Sequence, residues 1–194
     1  MHRSQTTAAG IPGSPAERMG SAIVLFGSSR RHGNTGQLVD HVAEELDIEV
    51  VDLGQLRISP YDYEHLNRGD DFEPLMKRVL EFDDIIIASP VYWYAVSPPV
   101  KIFLDRISDY LDIPELQPDG RRLRGKTGHI VCTSIYDAAP NSFLDALTST
   151  FKYLGMRIGG TVHVNCSDGY SRSIHESNVA AFSSIIRRPK GTTR

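Results

Sequence analysis

Residues 85–88 read Ile-Ile-Ile-Ala, a short apolar and mostly β-branched run. Downstream, Val100, Phe103, Leu104, Ile107 and Leu111 fall on one face at helical spacing. The segment between them, Ser89-Pro90-Val91-Tyr92-Trp93-Tyr94-Ala95-Val96-Ser97-Pro98-Pro99, is therefore a strand-to-helix turn. In an open parallel sheet such turns lie at the carboxyl ends of strands, where ligands bind. This turn holds three consecutive aromatics among stiffening prolines. It suits a flat aromatic ligand better than an ordinary connection does.

The same unit recurs along the chain. Ala22-Ile23-Val24-Leu25-Phe26 is apolar throughout, as a strand buried on both faces must be. Residues 49–53, 129–133 and 157–165 supply further strands. Helical patterns follow at Leu38, Val39, Val42, Ala43 and Leu46, at Phe72, Leu75, Met76, Val79 and Leu80, and at Phe143, Leu144, Leu147, Phe151 and Leu154. Gly155 ends the last of these, and a final helix runs over 171–186. Five strands alternating with five helices give an α/β fold, a doubly wound five-stranded parallel sheet covered on both faces. The order 2-1-3-4-5 brings the ends of strands 1 and 3 together at the switch point. Length 194 fits one domain, over 21–186. Residues 1–20, rich in Gly, Pro and Ser, read as a disordered leader, and 187–194 as a flexible tail.

At the first switch-point position stands Gly27-Ser28-Ser29-Arg30-Arg31-His32-Gly33-Asn34-Thr35-Gly36. Strand, small polar loop and helix make an anion cradle, with helix-start amides pointing inward. The loop lacks both the G-x-x-x-x-G-K-[ST] and the G-x-G-x-x-G spacings. A terminal phosphomonoester, held by Ser28, Thr35, backbone amides and Arg30, is one reading; a turn capped by Asn34 or Thr35 is the other. The long polar stretch 54–70 either edges the pocket or wanders over the surface. Arg121, Arg122 and Arg124 either face water or attract the 2′-phosphate of NADPH. Trp93 and Tyr94 either shape a stacking slot or pack at a core or interface.

A net charge of −3 argues against nucleic acid and against attraction to a membrane surface. Cys132 and Cys166 form no C-x-x-C pair and read as buried free thiols in a cytoplasmic protein.

The two loops, the second running on to Lys101-Ile102-Phe103-Leu104-Asp105-Arg106, resemble those of flavodoxin-like proteins of the NAD(P)H-dependent FMN reductase superfamily. The resemblance implies that Ser28, Arg30, Asn34 and Thr35 hold the FMN phosphate. It implies that Pro90, Val91, Tyr92, Trp93, Tyr94 and Ala95 flank the isoalloxazine ring, and that residues 134–137, with Ser134 and Tyr136, close its other side. The third loop departs from the glycine-rich form of many relatives. No clustered cysteines stand near 61–63, where iron–sulfur relatives carry them, so neither a cluster nor another metal is expected. The implied activity is that of an FMN-dependent oxidoreductase. It passes two electrons by hydride transfer from NADPH or NADH through bound FMN to a small-molecule acceptor: a quinone, nitro or azo compound, flavin or metal ion. No catalytic acid–base pair is expected. A backbone N–H from the 91–95 turn would serve the ring instead. A homodimer or homotetramer is implied as well. The alternative is a flavodoxin-type electron carrier that docks to protein partners, although such carriers are usually much more acidic. A flavin-free interaction protein of the same fold is the third reading.

Overall fold

The computed structural model describes residues 22–187. The proposed leader, and the tail after Arg187, lie outside the described residues. In chain order the elements are β1 (Ala22–Phe26), α1 (Asn34–Leu46), β2 (Glu49–Asp52), α2 (Phe72–Val79), β3 (Asp84–Pro90), α3 (Pro98–Arg106), α4 (Asp109–Asp112), α5 (Gln117–Gly120), β4 (Thr127–Ser134), α6 (Asn141–Tyr153), β5 (Arg157–Asn165) and α7 (Arg172–Arg187). The five strands form one parallel sheet in the order β2-β1-β3-β4-β5, as expected.

Side-chain alternation splits the strands between two cores. Ile23, Leu25, Ile85, Ile87, Ile130 and Cys132 face α2, α3 and α6, with Phe72, Met76, Phe103, Phe143 and Phe151. Ala22, Val24, Phe26, Ile86, Ala88 and Val131 face α1 and α7, with Leu38, Val42, Val179 and Phe182. The central strands are buried at every position. That is why their sequences are continuously apolar rather than alternating.

Several boundaries differ from expectation. The second strand ends at Asp52, whose carboxylate caps a 3-10 turn over Leu53–Gln55. The third helix stops at Arg106 rather than running to Leu111, which lies in the separate turn α4 and is partly exposed. Two four-residue helices, α4 and α5, therefore add to the five expected. α5, with a 3-10 turn over Arg121–Leu123, gives structure to the charged stretch read as a loop.

Arg106 explains the break. Its guanidinium is buried and donates to Asp109 Oδ2 at 2.7 Å, Asp70 Oδ2 at 2.6 Å and the carbonyls of Ser59 and Asn67. It also lies over the Phe72 ring, 4.7 Å from the centroid. One side chain thus gathers the long 54–70 stretch onto the α3–α4 corner. This stretch lines no part of the cleft described below. The basic run is remote from the cleft too. It precedes the amino end of β4, where Arg122 pairs with Asp119 and donates to the Leu80 carbonyl. The 2′-phosphate reading of that run is withdrawn.

Candidate active site

The carboxyl ends of β1, β3 and β4 converge on one cleft of about 370 Å³. Its lining unites most of the residues singled out from the sequence: Ser28, Arg30, Asn34 and Thr35 from the first loop, Pro90, Val91, Tyr92 and Trp93 from the second, Ser134 and Tyr136 from the third. Two of the named residues stand outside it. Tyr94 stacks on Tyr136 at the mouth, centroids 5.7 Å apart and planes 15° off parallel. Ala95 is exposed and does not line the cleft.

Buried serines lock the first two loops together. Ser97 Oγ donates to the Gly27 carbonyl at 2.7 Å, and the Ser97 amide donates to Ser89 Oγ at 2.9 Å. Gly27 leaves room for this: a Cβ there would lie 2.8 Å from Val100 Cγ2. The second and third loops are joined by the Val91 amide donating to the Thr133 carbonyl at 2.9 Å.

The first loop is built differently from either capping arrangement expected. The residue before α1 is Gly33, and no side chain caps the helix. Asn34 instead reaches across the cleft floor; its Oδ1 accepts the Tyr170 amide at 3.2 Å and its Nδ2 donates to the Cys166 carbonyl. Thr35 Oγ1 is buried against Thr133 Oγ1 at 2.6 Å. The first-turn amides of α1 are thereby left for a ligand. Gly36 lies tight beneath the loop, since a Cβ would sit 1.7 Å from the Arg31 carbonyl oxygen. The two arginines divide their tasks. Arg31 is spent on a bidentate pair with Asp40, at 2.6 and 3.1 Å, and lies over the Phe26 ring. Arg30 is exposed and is the one charged residue of the cleft wall. Ser28 Oγ accepts the Arg30 amide at 3.3 Å, and the same side chain meets the Tyr92 phenol. His32 is exposed and outside the lining.

The second loop closes in a tight turn. The Tyr92 amide donates to the Ala95 carbonyl at 2.9 Å and the Ala95 amide returns to Tyr92 at 3.0 Å. Both central residues have positive φ, 48° at Trp93 and 64° at Tyr94, as a type I′ turn requires. Bulky residues rarely take this conformation, and strain of this kind collects at functional sites. Trp93 is 93% exposed, so nothing it packs against accounts for it. We expect Trp93→Gly to raise the melting temperature of the ligand-free protein by a few degrees, relieving about 1 kcal/mol. A thermal melt showing a loss of stability would remove the strain argument. The Tyr92 phenol is partly desolvated, which favours its neutral form. Hydrogen bonds from the Ser29 and Ser28 side chains and the Ser29 backbone outweigh this and bring its pKa below the ordinary tyrosine value.

Gly33 and Ile135, which belong to the loops expected to bind, also line the cleft, and sequence reasoning missed Thr133 and Cys166. Thr133 was detectable as the last residue of an apolar strand. Cys166 becomes visible only once Asn34 ties the β5–α7 connection to the first loop. Both cysteines are buried and unpaired, and burial pushes the Cys132 thiol up to about 12. Among the described residues no cluster of His, Cys, Asp or Glu is arranged to hold a metal, and no helix is long and apolar enough to cross a membrane.

Comparison with known proteins falls on the same region. The family described as NADPH-dependent FMN reductase matches residues 21–170. The Bacillus subtilis (strain 168) protein YwqN, whose name describes an NAD(P)H-dependent FMN-containing oxidoreductase, is 29% identical over 114 residues, covering 56% of this chain and 63% of that protein. An iron–sulfur flavoprotein of Archaeoglobus fulgidus is 31% identical over 108 residues, covering 50% of this chain and 49% of its own length. The chain thus spans less than two thirds of these curated relatives. Among solved structures, the Trp repressor binding protein from Bacillus subtilis superposes with a TM-score of 0.68 at 20% identity, covering 88% of this chain and 99% of that one.

Proposed function

The chain belongs to the NADPH-dependent FMN reductase family, and from that premise we propose that it is an FMN-dependent NAD(P)H oxidoreductase acting on a small acceptor. The observation that carries this reading is the pairing, in one cleft, of an uncapped helix start beside an arginine with no ion pair among the described residues and a strained aromatic turn. The cleft's volume is in the range of small-molecule sites.

The residues present fit FMN. The first-turn amides of α1, the Ser28 hydroxyl and the Arg30 guanidinium would hold its phosphate. Pro90, Val91, Tyr92 and Trp93 would flank the ring system on one side and Tyr136 on the other. FMN, when bound, takes a hydride from NAD(P)H and yields two electrons to an acceptor. The protein's part is to hold and to polarise. The amides of Val91, Tyr92 and Ala95 are committed within the fold. The turn therefore has its central amides, those of Trp93 and Tyr94, to donate where negative charge develops on a reduced ring. The exposed Trp93, Tyr94 and Ile135 give the mouth an apolar rim. It supports packing of a second subunit there in a homodimer or homotetramer, which sedimentation of the purified chain would test.

The electron-carrier reading lacks an equivalent observation. A carrier needs a docking surface of one sign, and a net charge of −3 gives it little. The test is anaerobic mixing of the FMN-loaded protein with NADPH and, separately, NADH. Bleaching of the flavin band is expected with at least one of them; no bleaching with either defeats the reading. Arg30→Glu should weaken FMN binding about 100-fold, through loss of a charge-assisted contact and gain of a repulsive one. A titration showing unchanged affinity would displace the phosphate from this end of the cleft.

A further inference from the structure

Ser134 lines the cleft, and behind it stands an imidazole that the proposed chemistry has not used. His163 Nε2 lies 2.8 Å from Ser134 Oγ. The Tyr136 amide donates to the same oxygen at 3.0 Å. His163 is opposite Cys132 in the β4–β5 register, so both residues face the α6 side of the sheet. The ring is half-buried. Its Nδ1 has no partner among the described residues, nor is it one of the buried polar atoms left unsatisfied. Nε2 thus meets the cleft wall, while Nδ1 makes no hydrogen bond among the described residues.

A serine hydroxyl has one proton and two lone pairs. One lone pair is taken by the Tyr136 amide. When Nε2 is unprotonated, the Ser134 proton is committed to it. When Nε2 carries a proton, Ser134 accepts from both neighbours and its own proton is released toward the cleft. The state of His163 thus decides whether the cleft wall offers a donor.

We propose that Ser134 and His163 form a relay that delivers a solvent proton to an acceptor oxygen in the cleft, which makes a quinone-type carbonyl compound, rather than a metal ion, the substrate class this site serves. The inference rests on the oxidoreductase reading above. Reduction of a quinone by NAD(P)H consumes one proton. The nicotinamide C–H bond breaks with its electron pair, and the quinone gains that hydride equivalent and one H⁺. The proton leaves Ser134 Oγ for the acceptor oxygen and the His163 Nε2 proton replaces it on Oγ, which leaves the ring neutral with its proton on Nδ1; before the next acceptor enters, water in the open cleft returns a proton to Nε2 through Ser134 Oγ. His163 is a positioning residue that acts through Ser134.

Burial lowers the His163 pKa below its ordinary value of 6.5. The surrounding groups leave that effect unopposed. The Cys132 thiol opposite is neutral, α6 turns Phe143, Leu147 and Phe151 inward, and Asp137 is hydrogen-bonded to Asn165. The imidazolium therefore gains population on the acid side of neutrality, and the share of His163 rings with a proton on Nε2 rises with it.

The experiment compares the FMN-loaded parent with His163→Gln, using NAD(P)H with a benzoquinone and, in parallel, with ferricyanide, which takes electrons without protons. In the parent the ratio of quinone to ferricyanide turnover should rise as pH falls from about 8 to about 5.5; in His163→Gln it should be flat and, near pH 6, lower by about 10²-fold. Equal profiles in the two proteins, with ferricyanide still reduced, overturn the relay alone. Reduction of neither acceptor overturns the oxidoreductase reading and the relay with it. Independently of turnover, nitrogen-15 NMR of the FMN-free chain should show the His163 titration shifted by Ser134→Ala. An unchanged titration overturns the coupling.

Discussion

Gly36→Ala yields a protein that no longer retains FMN and melts well below the parent. Exchanging glycine for alanine inside a helix ordinarily adds about 1 kcal/mol of stability. Here the sign reverses, because the new Cβ would lie 1.7 Å from the Arg31 carbonyl oxygen, a backbone atom with no rotamer to give way. Either α1 backs away from the first loop or the loop lifts off the helix. Both responses disperse the amides and the Arg30 guanidinium that the phosphate reading requires. Overpacking of this kind costs about 3 kcal/mol, hence roughly 6–12 °C in a chain of this size. Differential scanning calorimetry with an FMN titration measures both effects. An affinity within twofold of the parent would show that the loop's shape is not what holds the cofactor.

Arg106→Met is expected to be the most destabilising single exchange away from the cleft. The substitution keeps apolar bulk over Phe72 but leaves Asp109, which is buried, and Asp70 without their cation. Removing one partner of such a network costs roughly 3–5 kcal/mol, or about 6–20 °C here. The damage should be local first, with the 54–70 stretch becoming open to proteases before the sheet melts. A pH signature accompanies it. Burial alone would raise the Asp70 carboxyl, but hydrogen bonds from Arg106 and from the Ser59 and Phe72 amides outweigh it and hold the group below its ordinary 3.8. A depressed carboxylate stabilises the fold above its ordinary pKa, and that contribution is lost as pH falls through the folded-state value. The parent should therefore loosen below about pH 4 by this route, and Arg106→Met should lack that part of the dependence. Melting temperatures within 2 °C of each other near neutral pH would refute the assignment, since such a difference represents roughly 1 kcal/mol at most.

The fold was legible because the central strands are buried on both faces and so carry unbroken apolar runs, while each helix shows its single inward face. What was not legible depended on side chains meeting across long sequence separations. Nothing near Arg106 announces that it will bind the carbonyls of Ser59 and Asn67. A helical pattern running on to Leu111 was the natural reading until those partners cut the helix short. The cleft was legible where residue type and loop position coincide, as in Ser28, Arg30 and the 90–93 segment. It was misread where a polar side chain had two uses. Asn34 and Thr35 are good capping residues by type, yet both are spent on bonds to Cys166, Tyr170 and Thr133, contacts more than ninety positions away in the chain. The pairing of Ser134 with His163 was hidden for the same reason, since it requires knowing the register of β4 on β5.

The bridge made by Ser97, from the Gly27 carbonyl to Ser89, has a further consequence. It fastens the turn after β1 to the turn after β3 at their roots, so the two ends of the cleft cannot drift apart independently. Under the proposed function such a fixed span would act as a caliper for the length between a ligand's anionic tail and its flat head, and a molecule shorter or longer than that span would engage one jaw only.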